Sequence, residues 1–147
     1  SILEGATKRG TAKNLKDLNL DIAGKTGTTN KNTDTWFIGF TSDLVVGVYI
    51  GYDEPKTLGK FETGAKTAMP IFKSFIKKAV KKDKTRPFKI PENITLMVVD
   101  SETGKKVSFA SKKTLVESFK SEKIDKNFNI NQKKNNRFYN NNIYKFY

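Results

Sequence analysis

Apolar and polar positions change period along the first eighty residues, and the changes predict the elements. From Asp21 to Thr28 a short mixed stretch reads as a strand running into the polar turn TTNKNTD, and the apolar stretch TWFIGFT follows at residues 35 to 41. DLVVGVYIGYD, residues 43 to 53, is rich in β-branched and aromatic residues, and Thr41, Ser42 and Asp43 have the length of a hairpin loop. Three antiparallel strands are therefore expected at about 21–28, 35–41 and 44–52. Gly39, Gly47 and Gly51 fall inside these strands, where they weaken packing unless a close neighbour uses the missing side chain. After the breaker-rich loop EPKTLGKFETG the period becomes helical: Ala65, Ala68, Met69, Phe72, Phe75, Ile76, Ala79 and Val80 share a stripe, and lysines fill the positions between. An amphipathic helix is expected at about 65–82, its stripe covering the sheet. Pro70 either belongs to the first turn of that helix or kinks it.

Beyond a Pro-containing linker, ITLMVVD (94–100) and KKVSFA (105–110) form an expected second hairpin with Gly104 in its turn, and KKTLVESFKSEKI an expected short helix. From Lys126 the chain is Asn- and Lys-rich with no acidic residue and no period, and it is expected to be disordered.

Composition narrows the chemistry. The chain's 147 residues suffice for one domain with a modest core, 36% of them being hydrophobic. The net charge of +13 invites an anionic partner, but the excess is almost all lysine, with arginine only at Arg9, Arg86 and Arg137, and solvated lysine faces account for it better than a polyanion site. Aromatics interleaved with Lys and Arg in the tail could stack on single-stranded nucleic acid, so a non-enzymatic basic binding module is the alternative function. Cysteine and histidine are both absent, which removes disulfides, thiolate metal sites, the usual zinc ligand and the usual general base. No cofactor and no metal is expected. No apolar run reaches the ~20 residues that span a bilayer, and the opening residues do not read as a signal peptide, so no anchor is expected within this stretch. It begins at Ser1, which fits either a piece of a longer chain or removal of an initiator Met.

LDIAGKTGTTN, residues 20 to 30, holds the candidate chemistry. A phosphate-binding loop needs a glycine five positions before Gly24, where Asn19 stands, and a helix after it, where the pattern reads as strand end and turn. The other reading is an extended edge segment. Alternation then puts Lys25 and Gly27 on one face and Thr26 and Thr28 on the other, and a peptide could pair with the strand backbone. An ammonium and two hydroxyls suit a carboxylate terminus.

GTA at 10–12, AGKTGTTN at 23–30, DTWFIGFTSDLVVGVYIGYD at 34–53 and TGAKTAMPIFKSFI at 63–76 together resemble the end of the transpeptidase domain of bifunctional (class A) penicillin-binding proteins. The order and spacing match as well, and RPFKIPENITLMVVDSETG looks like the tail these enzymes carry after the domain. The resemblance implies an α+β fragment of the β-lactamase/transpeptidase-like fold. It divides the chain into the C-terminal part of a transpeptidase domain (1–82), a family-like extension with a short hairpin (83–120) and the Lys/Asn-rich tail (121–147).

It also implies a serine-type D-Ala-D-Ala transpeptidase, often fused to a glycosyltransferase, that cross-links peptidoglycan stem peptides and is acylated by β-lactams. Such a parent sits at the cytoplasmic membrane facing the periplasm or cell exterior, anchored through an N-terminal part. In that family Lys25 would support the site electrostatically, Thr26 and Thr28 would hold the peptide or penicillin carboxylate, Gly27 would let the ligand approach, and the Thr28 N–H would complete an oxyanion hole. The family's nucleophile lies upstream. This sequence has no Ser-x-Asn, and its only Ser-x-x-Lys, Ser74 to Lys77, lies after Lys-Thr-Gly and inside the amphipathic helix, so Ser74 is expected to be a decoy. The chain by itself is expected to lack acyl-enzyme chemistry, and an upstream half of the same protein is the expected partner that would complete the site. With one sheet face uncovered, the isolated chain is expected to be poorly soluble or molten.

Overall fold

The computed structural model describes residues 1–81, 85–107 and 113–123. They fall into two compact units, residues 2–89 and the residues from Ile90 onward together with Ser1.

In the first unit β1 (Ala23–Thr28), β2 (Asp34–Phe40) and β3 (Val45–Gly51) form an antiparallel sheet in the order β1-β2-β3. The expected strands are all present, within two residues at each end. Alternation in β2 sorts its side chains cleanly: Thr35 and Phe37 are fully buried, while Trp36 and Ile38 are exposed. The buried face is covered by α2 (Ala68–Ala79), which contributes Ala68, Met69, Phe72 and Ile76 to the core. Gly39 is explained by that packing. A Cβ there would lie 2.6 Å from Phe72 Cζ and 2.7 Å from Phe37 Cε1, and those two rings pack 4.7 Å apart. Pro70 sits in the first turn of α2 without a kink, because its missing N–H falls among those that have no intrahelical partner there. The turn before it is closed by Lys66 N and Thr67 N donating to Thr63 O, and by Met69 N donating to Gly64 O.

Two elements before β1 were not expected from the sequence. α1 (Ile2–Lys8) packs beside β1, and the Thr7 hydroxyl donates to the Ile22 carbonyl at 2.6 Å. Residues Lys13–Leu18 form a 3-10 helix. Ala12, Leu15 and Leu18 recur every third residue, the 3-10 period, and all three are buried in the core shared with Phe37 and Phe72. Lys73 of α2 closes the arrangement by donating to the Asn14 carbonyl at 2.6 Å and pairing with Asp17 at 2.7 Å. The opposite sheet face carries Trp36, Ile38, Val45 and Tyr49, all exposed. One face of the sheet is thus closely packed and the other is open, the arrangement on which the expectation of a poorly soluble or molten isolated chain rests.

In the second unit the short helix expected in KKTLVESFKSEKI is instead a strand. β4 (Ile94–Asp100) pairs antiparallel with β5 (Thr114–Lys120), with Val98 opposite Val116 and Val99 opposite Leu115. The local pattern is ambiguous because Leu115 and Phe119 also fit a helical spacing; the need of β4 for a hydrogen-bonded neighbour decides it. The hairpin partner expected at 105–110 supplies only an isolated bridge between Lys106 and Val99, and residues 108–110 lie outside the described residues. Gly104 does occupy the turn, with φ +67°. Of the tail expected to be disordered, Ser121–Lys123 form a 3-10 turn and the rest lies outside the described residues.

Candidate functional site: the free edge of the first strand

β1 is an edge strand, so half of its backbone groups point away from the sheet. The register pairs Gly27 with Trp36 and Thr28 with Thr35, and just past the strand end Thr29 N donates to Asp34 O. Hydrogen-bonded and non-bonded pairs alternate in an antiparallel ladder, so Lys25, Gly27 and Thr29 bond to β2, while the N–H and C=O of Thr26 and Thr28 face outward. That edge is the one a peptide would use.

The side chains converge there. Lys25 belongs to the open face, yet its long stem carries Nζ round the edge, where it donates to the Thr26 carbonyl at 2.8 Å and reaches the Thr26 hydroxyl at 3.4 Å. Thr26 Oγ1 lies 3.3 Å from the hydroxyl of Thr11, and either can donate. The Thr28 hydroxyl accepts the N–H of Gly64 at 3.1 Å. Gly64 has no room for a side chain: a Cβ would press on the Trp36 carbonyl and come within 2.6 Å of Gly27 O. Lys25, Thr26 and Thr28 thus line one edge, with Gly27 leaving the face above Trp36 low.

The turn after β1 is held by polar contacts. The Asp34 carboxylate accepts from Tyr49 at 2.7 Å, Thr33 at 3.2 Å and Thr29 at 3.3 Å, while Asp34 N donates to Thr29 Oγ1 at 2.8 Å. The bond to Asp34, and then partial desolvation, raise the Tyr49 phenol above the ordinary tyrosine value. Asn32, at φ 53°, donates its side-chain amide to Glu62 O at 2.6 Å and accepts Leu58 N at 2.8 Å, tying the loop before α2 to this turn. Thr67, just before α2, shares a 2.7 Å hydrogen bond with the buried Thr35. Ser74 sits on the exposed side of α2, which packs mainly on β2 and β3.

Residues 1–77 match the family model of the penicillin-binding protein transpeptidase domain. The chain belongs to this family. It is 49% identical over 120 residues to penicillin-binding protein 1A of Rickettsia conorii, an alignment covering 82% of this chain and 15% of that protein. It is 42% identical over 94 residues to penicillin-binding protein 1A of Neisseria meningitidis serogroup B, covering 63% of this chain and 12% of the relative. The fold resembles the crystal structure of penicillin-binding protein 1A from Haemophilus influenzae with a TM-score of 0.71 and 32% identity, over 82% of this chain and 19% of that one. The chain therefore spans only about an eighth to a seventh of the length of these curated relatives and corresponds to a part of the transpeptidase domain. The alternative of a basic nucleic-acid module gains no support from any of these matches.

The motif residues were legible in the sequence, whereas Thr11 and Gly64 stood out there only as parts of longer matching stretches. The contacts that join them to the strand cross 15 and 36 residues of sequence. The pairing of a small-residue turn before the strand with a glycine before the helix was the available signal.

Proposed function

We propose that residues 25–28 form the carboxylate-binding wall of a peptidoglycan transpeptidase site, taking the stem peptide as substrate and β-lactams as inhibitors. The observation that carries this reading is the sense of the hydrogen bonds on the free edge. An ammonium and a backbone N–H can only donate, so Lys25 Nζ and Gly64 N–H fill the acceptor side of the Thr26 and Thr28 hydroxyls. The Thr28 O–H proton is then left to donate outward, that of Thr26 can do so in exchange for its contact with Thr11, and an acceptor-only carboxylate is the group that fits both.

A peptide laid along β1 would donate its amide N–H to the Thr26 carbonyl, displacing Lys25 Nζ toward the carboxylate. The outward N–H of Thr28 would meet the scissile carbonyl oxygen, where one such donor typically contributes about 3 kcal/mol to transition-state stabilisation. Ser74 takes no part; the acyl-accepting serine and its base come from an upstream part of the same protein, which also carries the membrane attachment that holds the site at the outer face of the cytoplasmic membrane.

Intact mass after incubation with a penicillin tests the reading on two samples. One is the 147-residue chain; the other is a fusion in which the chain replaces the matching segment of the Rickettsia conorii relative. The expected adduct appears only in the fusion and on its upstream part, and Thr26→Val lowers its rate of formation at least tenfold with the fold kept. An adduct on the isolated chain, or an unchanged rate in the Thr26→Val fusion, would contradict it.

A further inference from the structure

We propose that Thr11 is a third hydroxyl of the carboxylate site, a residue that contacts the ligand directly. This deepens the reading above and rests on it. Thr11 Oγ1 lies 3.3 Å from Thr26 Oγ1, which in turn lies 3.4 Å from Lys25 Nζ, so the three polar atoms form a chain along one end of the strand. Lys25 can only donate to Thr26. The Thr26 proton therefore has one partner among these atoms, Thr11, and a Thr11 hydroxyl that accepts it keeps its own proton for a ligand. An arriving carboxylate offers several lone pairs, enough to take a proton from each hydroxyl at once.

The turn that carries Thr11 is fixed on both sides. Gly10 lies against α1 so closely that a Cβ would stand 2.9 Å from Ala6 Cα. Ala12 is fully buried and its N–H donates to Ala6 O at 3.0 Å, and Lys13 N closes the turn on Gly10 O at 3.2 Å. In Gly10-Thr11-Ala12 the glycine thus permits the close approach, the threonine presents an exposed hydroxyl, and the alanine anchors the turn in the core. A threonine held exposed between two packed neighbours, with its hydroxyl aimed at the motif strand, is placed to bind rather than to support the core.

The test compares acylation of the fusion described above by a penicillin and by the methyl ester of the same penicillin, which lacks the carboxylate charge. Thr11→Val should slow acylation by the acid about tenfold, the worth of one hydrogen bond to a charged group, while leaving the ester rate within twofold. Thr11→Ser should restore most of the rate. Equal loss for acid and ester would mean that Thr11 only supports the structure, and would overturn the proposal. If Thr26→Val abolishes the preference for the acid and Thr11→Val does not, the strand reading stands and this inference fails; if neither variant alters the preference, both fail. A second measurement on the 147-residue chain itself follows the threonine methyl signals by NMR during titration with N-acetyl-D-alanyl-D-alanine and with its carboxamide. The Thr11 methyl should shift with the acid and stay with the amide. A Thr11 signal that stays while Thr26 and Thr28 move with the acid would also overturn the proposal.

Discussion

Gly64→Ala should damage the protein far more than its single added methyl suggests. The Cβ would press on the Trp36 carbonyl and stand 2.6 Å from Gly27 O and 3.2 Å from Gly27 N. These are backbone atoms of two paired strands, so no rotamer change relieves them, and the segment before α2 must move away from β1. Overpacking of this kind costs about 1–3 kcal/mol. The displacement also stretches the bond from Gly64 N to Thr28 Oγ1, for about 1 kcal/mol more. The expected loss is about 2–4 kcal/mol, a large part of the ~5–15 kcal/mol that usually holds a domain together. Gly47→Ala is the control, because a Cβ there meets nothing closer than Ile38 Cγ1 at 4.0 Å. With no clash to offset it, the lower chain entropy of alanine makes that variant neutral or slightly more stable. Urea unfolding reports both through Trp36, the sole tryptophan, which lies 4.6 Å from Tyr49 and directly opposite Gly27. Unfolding free energies that agree to within about 0.5 kcal/mol between the two variants would refute the packing argument.

The phenol of Tyr49 donates to Asp34, and that bond raises its pKa. A raised folded-state pKa on an acid means that its stabilising contribution is complete below the ordinary tyrosine range and disappears as pH rises through the folded value. Between about pH 9 and about pH 12 the wild type should therefore lose stability faster than Tyr49→Phe, and parallel curves would show that the Asp34 contact carries no stability. The open face makes a different demand on the chain. Trp36, Ile38, Val45 and Tyr49 leave an apolar surface uncovered, with Val45 71% exposed. Sedimentation should show concentration-dependent association of the isolated chain that Val45→Glu weakens without altering the unfolding midpoint; a wild type that stays monomeric at high concentration would remove the face as a cause.

The strands and α2 could be read from the sequence because each buries one face of a regular period. Thr35, Phe37 and Gly39 lie on one side of β2 and Trp36 and Ile38 on the other, and no other assignment satisfies that alternation. α1 and Lys13–Leu18 could not be read the same way. They are 7 and 6 residues long, too short for propensity to support them in isolation; α1 is tied by Thr7 to the Ile22 carbonyl, and Lys13–Leu18 is held by the burial of Leu15 and Leu18 against side chains that come later in the chain. KTLVESFK failed for a related reason: its own pattern permits helix or strand, and only the pairing with β4 chooses.

The candidate site divides along the same line. Alternation placed Lys25 opposite Thr26 across the strand, and the register keeps them on opposite faces. Yet the lysine ammonium donates to Thr26, because β1 has no outer neighbour among the described residues and a four-carbon stem can pass round its free edge. A fourth strand on that side would take the Thr26 carbonyl for its own ladder, leave Lys25 on the far face, and bury the Thr28 N–H. The same tetrapeptide in the middle of a sheet would then be a strand with small polar residues and nothing more. What would turn Lys-Thr-Gly-Thr into the proposed binding edge is thus its place in the strand order, together with Thr11 and Gly64, which come from either side in sequence to meet the Thr26 and Thr28 hydroxyls.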